Sequence, residues 1–275
     1  YHAGTAWSRI AMTNRDEHEN AVKLGLDSAL EAHGFNLVGA LAADRYDQLV
    51  APGWRCAQRL PTARSAVLLC CGGPEFFRAV RSSPEWQAGV DPVDRFARRW
   101  VEFQRAAWQR AGFDTKGFLY VDERDSDGES HFADFASLAA ACGIGVPSRL
   151  GILLHPRYGP WVSIRGLLLT ERPCPAAEPL DWNPCLGCPA PCAGACPSDR
   201  VILGSGFDLE ACFATKASTP SCRTGCAARR ACVYGRDQAY DRDAEAYYTE
   251  SAWLLGARAH RDVKRRDPPV DPGIH

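Results

Sequence analysis

Apolar residues recur along this chain with two different periods, and the changes of period divide it into elements. Over residues 15–33 they fall at Val22, Leu26, Ala29 and Leu30, a helical spacing that stops at Gly34, where a C-cap glycine belongs. One amphipathic helix is expected there. Residues 36–42 are short and apolar, and residues 66–71 (AVLLCC) are apolar without alternation, so both read as strands, the second buried. Gly72, Gly73 and Pro74 end that strand and open a helix. Further on, Asp91, Pro92 and Asp94 read as N-cap, first helical position and acidic first turn of a long helix. It runs to about Gly112, with Val93, Phe96, Ala97, Trp100, Val101 and Trp108 on one stripe.

Residues 117–122 (GFLYVD) form another expected strand, 123–130 a polar loop, and 131–142 a helix closed by Gly143. Residues 150–155 and 161–169 read as a strand pair around a Pro156 to Pro160 turn. Strands alternating with helices over residues 1–172 give a three-layer α/β or α+β domain. The composition changes at Pro173: residues 174–197 are dominated by Pro, Cys, Gly and Ala, which cannot build an apolar core and need metal to fold. Residues 173–236 are therefore expected to be a small metal-binding domain. Residues 237–275 are expected to hold one helix, 241–260, with Tyr247, Trp253 and Leu254 inward and packed back on the first domain, and a loose tail from Asp267.

With 46% hydrophobic and 24% charged residues in 275, the chain is long and apolar enough for a real core, which excludes a disordered protein. A formal net charge of -1 supplies no cationic field, so a nucleic-acid partner is unlikely on charge. No apolar run approaches the roughly 20 residues needed to cross a bilayer, and no signal-peptide pattern opens the chain, which points away from membranes and to the cytoplasm. Thirteen cysteines change the picture more than any other residue type. Cys56, Cys70, Cys71, Cys142 and Cys174 are scattered, whereas the other eight lie between Cys185 and Cys232. An odd total without an export signal argues against a disulfide framework and for metal binding.

Cys185, Cys188, Cys192 and Cys196, followed by Pro197, nearly reproduce the bacterial ferredoxin run, with one extra residue between the second and third thiols. Cys212, Cys222, Cys226 and Cys232 supply four more, with Val233 where a proline is usual. Eight thiolates match two 4Fe-4S clusters. Crossed ligation follows, with Cys185, Cys188, Cys192 and Cys232 on one cluster and Cys196, Cys212, Cys222 and Cys226 on the other. Two four-cysteine zinc sites are the competing reading, but only the Cys185 and Cys188 pair has knuckle spacing. Arg223, Arg229, Arg230 and Arg236 either offset the clusters' negative charge or form a solvated basic face.

The string HPRYGPWVSIRG, His155 to Gly166, with VDPVDRF at Val90 and GGPEFFRAV at Gly72, resembles the CblC-type cobalamin-processing proteins. LPTARSAVLLC from Leu60, CGIG from Cys142 and the cysteine groups resemble epoxyqueuosine reductase and its relatives, the reductive dehalogenases. The resemblance spans roughly residues 20 to 235. It implies a nitroreductase-like cobalamin-binding domain joined to a ferredoxin-like domain with two 4Fe-4S clusters, and base-off cobalamin as a further cofactor.

Carried over by residue, the resemblance places Asp122, Leu153, His155, Gly159, Trp161, Ile164 and Arg165 around the corrin or its side chains. It also places His131 beside the cobalt face, and Asp127, Glu129 and His131 are the candidate proton donors. The implied activity is that of a cobalamin-dependent iron-sulfur oxidoreductase. Its partners would be a low-potential donor (ferredoxin or flavodoxin) and a small-molecule substrate. About forty residues follow Arg236, too few for the helical-repeat domain of tRNA-acting relatives, so a small organic substrate is expected over tRNA. Cobalamin processing with B12 as cargo, and a simple electron carrier, are the alternatives.

Overall fold

The computed structural model of the chain describes residues 14–119, 134–203 and 206–251. Along it run α1 (Asn14–Leu24), α2 (Ser28–Ala32), β1 (Leu37–Ala42), α3 (Ala43–Leu49), α4 (Cys56–Arg59), β2 (Ser65–Gly72), α5 (Glu75–Arg81), α6 (Pro84–Ala88), α7 (Pro92–Arg110), β3 (Thr115–Leu119) and α8 (Phe135–Ala141). They are followed by β4 (Val146–Pro147), β5 (Leu153–Leu154), β6 (Val162–Thr170), α9 (Pro191–Ala195), β7 (Ile202–Leu203), β8 (Gly206–Phe207), α10 (Leu209–Ser218), α11 (Ser221–Thr224) and α12 (Ala227–Ala231). Residues 242–251 are helical as well.

The chain divides into two compact units. The first comprises the described residues up to Ser148 together with Ile152–Cys188 and Val233–Ala239. The second comprises Arg149–Gly151, Pro189–Cys232 and the described residues from Tyr240.

The first unit is built on a sheet of order β1-β2-β6-β3 in which every neighbouring pair is antiparallel, so the mixed architecture is α+β. All eight residues of β2 are buried, as the unbroken apolar run requires of a strand covered on both faces. On one face Leu37, Leu41, Ala66, Leu68, Cys70, Leu167 and Leu169 pack under Tyr46 of α3, Cys56 of α4 and Phe135 and Leu138 of α8. The other face carries α5 and α7, whose stripe of Val93, Phe96, Ala97, Trp100, Val101 and Trp108 is buried as expected. Gln104 lies on the same stripe and is also fully buried, accepting the Asp27 N–H at 2.9 Å.

Three local expectations are corrected. The single helix over 15–33 is split at Gly25, which takes φ +69, passes its carbonyl to the Trp108 indole N–H at 2.9 Å, and is followed by Asp27, the N-cap of α2. The buried face of α1 carries Glu17 and Leu24, while Val22 is exposed. At the start of α7, Asp91, Pro92 and Asp94 hold the N-cap, first helical and first-turn positions as expected, but Asp91 is left-handed (φ +41) and its side chain makes no capping bond.

The third correction concerns residues 150–155 and 161–169, which do not pair as a hairpin. β5 pairs with β4, because β6 has both edges taken by β2 and β3. What closes the turn is one bridge between His155 and Gly159.

Beyond β6 the first unit continues past residue 172. The Cys174 N–H donates to Ser65 Oγ at 2.9 Å and the Ala177 N–H to the Ala40 carbonyl at 2.9 Å, tying this segment to the sheet. In the second unit α9 packs on α12, β7 pairs antiparallel with β8, and Phe207 lies against Gly151. The helix over 242–251 is tied into this unit by Glu245, which accepts the Cys226 N–H at 2.9 Å and pairs with Arg230. Trp253 and Leu254 lie outside the described residues.

Candidate functional site

All thirteen cysteines are free thiols. The five scattered ones sit in the first unit, and burial pushes the thiols of Cys56, Cys71 and Cys142 up to about 12, with Cys70 and Cys174 also raised. Such thiols resist forming the thiolate that metal binding needs. The alternation of β2 explains their separation: Cys70 faces Cys142 on one side of the sheet, and Cys71 receives the Arg165 guanidinium on the other.

The second unit gathers its thiols differently. α10, capped by Asp208 accepting the Ala211 N–H at 2.8 Å, presents Cys212; the short α11 presents Cys222; Cys226 caps α12, and Cys196 ends α9. The Cys212 thiol is raised by burial, is lowered by Lys216, and feels Cys226, Cys196 and Cys222. The Cys222 thiol is raised by burial and by Cys226 and Cys196. Four cysteines carried by four different elements thus lie near one another. On the neighbouring helices Cys192, in α9, and Cys232, capping α12, are both buried. Cys185 and Cys188 belong to the first unit. Among the described residues no three His, Cys, Asp or Glu side chains stand close enough to ligate a single ion.

The arginines of the second unit near these cysteines have partners within it. Arg223 donates to the Lys216 and Ala217 carbonyls, Arg229 stacks on Tyr240 at 4.9 Å, and Arg230 pairs with the buried Glu245.

The residues expected around a corrin are placed as follows. Leu153 is in the core below the sheet, Trp161 is buried, and Gly159 (φ +53) leaves room for the Tyr234 carbonyl, which a Cβ would meet at 2.2 Å. His155 is fully buried; its Nδ1 accepts the Arg157 and Tyr158 N–H groups at 3.1 and 3.2 Å. Ile164 packs on the Cys70 face of the sheet. Arg165, the extra residue at a β-bulge, turns to the opposite face, its guanidinium 4.8 Å from the Phe76 ring. The described members of this set therefore do not share one surface. Asp122, Asp127, Glu129 and His131 lie outside the described residues.

Sequence reasoning missed a polar network at this turn. Glu17 Oε2 accepts from the Tyr158 hydroxyl at 2.9 Å and from Arg157 at 3.0 Å, and the Asn36 amide joins Tyr158 to both backbone groups of Gly72. Burial raises the Glu17 carboxyl, and its bonds to Tyr158 and Arg157 lower it in part. Arg157 and Tyr158 were visible within the HPRYGP string, but nothing in the sequence pointed to Glu17.

Compared with solved structures, the chain has one architecture in common with a known enzyme. The fold resembles that of epoxyqueuosine reductase. The Streptococcus thermophilus enzyme is similar with TM-score 0.52 and 15% identity, over 80% of this chain and 68% of that one. Epoxyqueuosine reductase with a tRNA-Tyr epoxyqueuosine-modified stem loop is similar with TM-score 0.54 and 16% identity, over 85% and 69%. A catabolic reductive dehalogenase gives TM-score 0.47 and 18% identity, over 86% of this chain and 36% of its own. No family model matches the chain, and no curated protein matches it in sequence.

Proposed function

We propose that this protein is an iron-sulfur reductase of the epoxyqueuosine reductase type. On this reading residues 173–236 carry two 4Fe-4S clusters filled by a low-potential ferredoxin or flavodoxin. A small organic molecule is the substrate, and base-off cobalamin is the further cofactor that the resemblance implies. The observation that carries this reading is the convergence of Cys196, Cys212, Cys222 and Cys226 from four separate elements.

The donor set fits a cluster. All four are thiols, and a cubane spreads its ligands over four corners, whereas a zinc ion draws them to ~2.3 Å from one centre. The burial of Cys192 and Cys232 on packed helices supports pairing them on the other cluster. When bound, such clusters give and take single electrons at low potential. The chain's own part is to hold and balance them. Asp208 fixes the start of the helix bearing Cys212, Lys216 offsets charge beside that thiol, and Glu245 fixes the Cys226 backbone.

For cobalamin the described residues give no comparable fit, since His155 and Trp161 are buried and Ile164 and Arg165 lie on opposite faces. Only the resemblance and the fold support this cofactor.

Anaerobic reconstitution tests the proposal. About eight iron and eight sulfide per chain are expected, with Cys188→Ala losing one cluster. Two zinc ions without sulfide would overturn it. Adding hydroxocobalamin and recording the EPR spectrum after reduction tests the corrin separately, base-off binding showing no nitrogen splitting from its own benzimidazole. Because one similar structure holds a tRNA stem loop, the same turnover assay should include an epoxyqueuosine stem loop; its reduction would replace the small-molecule substrate by RNA.

A further inference from the structure

A cavity of about 230 Å³ lies wholly within the first unit, lined by α1, β1, the turn after α8 and the segment at Pro175 to Leu180. Most of its wall is apolar, including Leu24, Leu37 and Ile144. The exposed rim is polar, with Asn20, Lys23 and Glu178, and two buried polar atoms break the inner wall: among the described residues His155 Nε2 and Glu17 Oε1 have no hydrogen-bond partner. Each such atom costs ~1–3 kcal/mol when left unmade, and folded proteins seldom keep two beside one cavity without an occupant.

The chemistry of the pair is defined. His155 Nδ1 accepts two backbone N–H groups, so the ring proton sits on Nε2 and that atom is a donor. Burial drops the imidazole to about 3, so it stays neutral. Glu17 has its other oxygen held by Arg157 and Tyr158, which leaves Oε1 as an acceptor whose charge is already balanced. The exposed rim carries one charge of each sign, Lys23 and Glu178, so neither ion is favoured by the rim, and at the inner wall an anion would meet Glu17 while a cation would face the His155 N–H. An apolar cavity of ~150 Å³ takes benzene, so this one has room for a substituted ring. It falls short of the ~300–1,000 Å³ of larger ligand clefts and cannot take a corrin.

We propose that this cavity is a binding site for a small neutral molecule that accepts from His155 Nε2–H and donates to Glu17 Oε1, a primary carboxamide being the simplest such ligand. The site is independent of the cluster reading, and His155 serves it instead of a corrin. The same two atoms hold either one bridging ligand or a chain of waters, and the test separates them.

The cluster-loaded full chain is titrated with benzamide by calorimetry and ligand-observed NMR. Binding is expected, at least tenfold tighter than that of benzoate or N,N-dimethylbenzamide, which lack the donor. His155→Phe keeps a ring but removes the N–H and should lose at least tenfold. Ala176→Leu, which narrows the cavity while leaving the polar pair in place, should abolish binding even if the first variant folds poorly. Iron content is read in parallel and should not change, so failure here is distinct from failure of the cluster proposal. Equal binding of benzamide and its dimethyl derivative, insensitivity to Ala176→Leu, or soaked crystals with only waters between Glu17 and His155 would each overturn the site.

Discussion

The two compact units hold themselves together by different means. In the first, Ala66, Val67, Leu68 and Leu69 of β2 and Leu167, Leu168 and Leu169 of β6 are fully buried between two helical layers, each large side chain contributing roughly 1.5–3 kcal/mol. In the second, α10 and α11 bury no residue at all, its buried apolar residues are few (Val201, Ile202, Ala228, Tyr240 and Ala244 among them), and an N-cap and the Glu245 bonds tie its elements together. An apolar core of this size supplies folding energy by itself. Where the core is small, the binding of the proposed clusters would also be folding energy.

The largest effect expected from that contrast is on iron removal. Chelation of the anaerobically reconstituted protein should collapse the helices of the second unit and leave the sheet of the first, seen as partial loss of far-UV ellipticity with the near-UV signal of Trp54 and Trp161 retained. A single cooperative loss of both signals would mean that the units do not differ in this way.

Next in size is Leu68→Ala. Leu68 is fully buried at the centre of β2, and its truncation should cost about 3 kcal/mol by denaturant titration while leaving iron and sulfide content unchanged. Loss of clusters in this variant would show that the second unit leans on the first unit's core.

The elements of the first unit were largely legible because burial wrote a period into the sequence. The α7 stripe and the AVLLCC strand both follow from apolar spacing, and both are found. The strand pair around the 156–160 turn was misread because adjacency in sequence stood in for pairing, and only the sheet order shows that β6 has no edge to spare. Glu17 was illegible for a related reason: its partners Arg157 and Tyr158 are 140 and 141 residues away. In the second unit the reverse holds. Thiol identity and spacing spoke for ligation, whereas the helices that carry the thiols have little apolar pattern to announce them.

A smaller effect separates the polar turn of the first unit from its core. His155 has its pKa lowered from 6.5 to about 3 by burial and by Arg157, so the unfolded chain binds the proton more readily. Stability is then present in full above pH 6.5 and falls as the pH drops toward 3, by about 1 kcal/mol for each unit. Glu17, with a raised carboxyl, has the opposite sign, gaining relative stability as it protonates in the fold. Urea titrations from pH 7 to 5 should therefore show a slope that His155→Phe removes. An unchanged slope in the variant would place the acid sensitivity elsewhere.

The smallest expected effect concerns Cys71, the residue that most directly sets a cysteine of one unit against those of the other. Its thiol is buried on the α5 and α7 face of the sheet, is pushed up to about 12 chiefly by desolvation, and receives a hydrogen bond from Arg165. It cannot share a ligand with Cys70, because successive strand residues face opposite ways. A buried thiol of this kind acts as a small apolar group. Cys71→Ala should thus cost only about 1 kcal/mol, the loss of one small contact and one hydrogen bond, with iron and sulfide unchanged. In Cys212→Ala, by contrast, a proposed ligand is removed, and one cluster should go with it. If Cys71→Ala lost iron to the same extent, the division of the cysteines into five scattered packing residues and eight proposed ligands would fail.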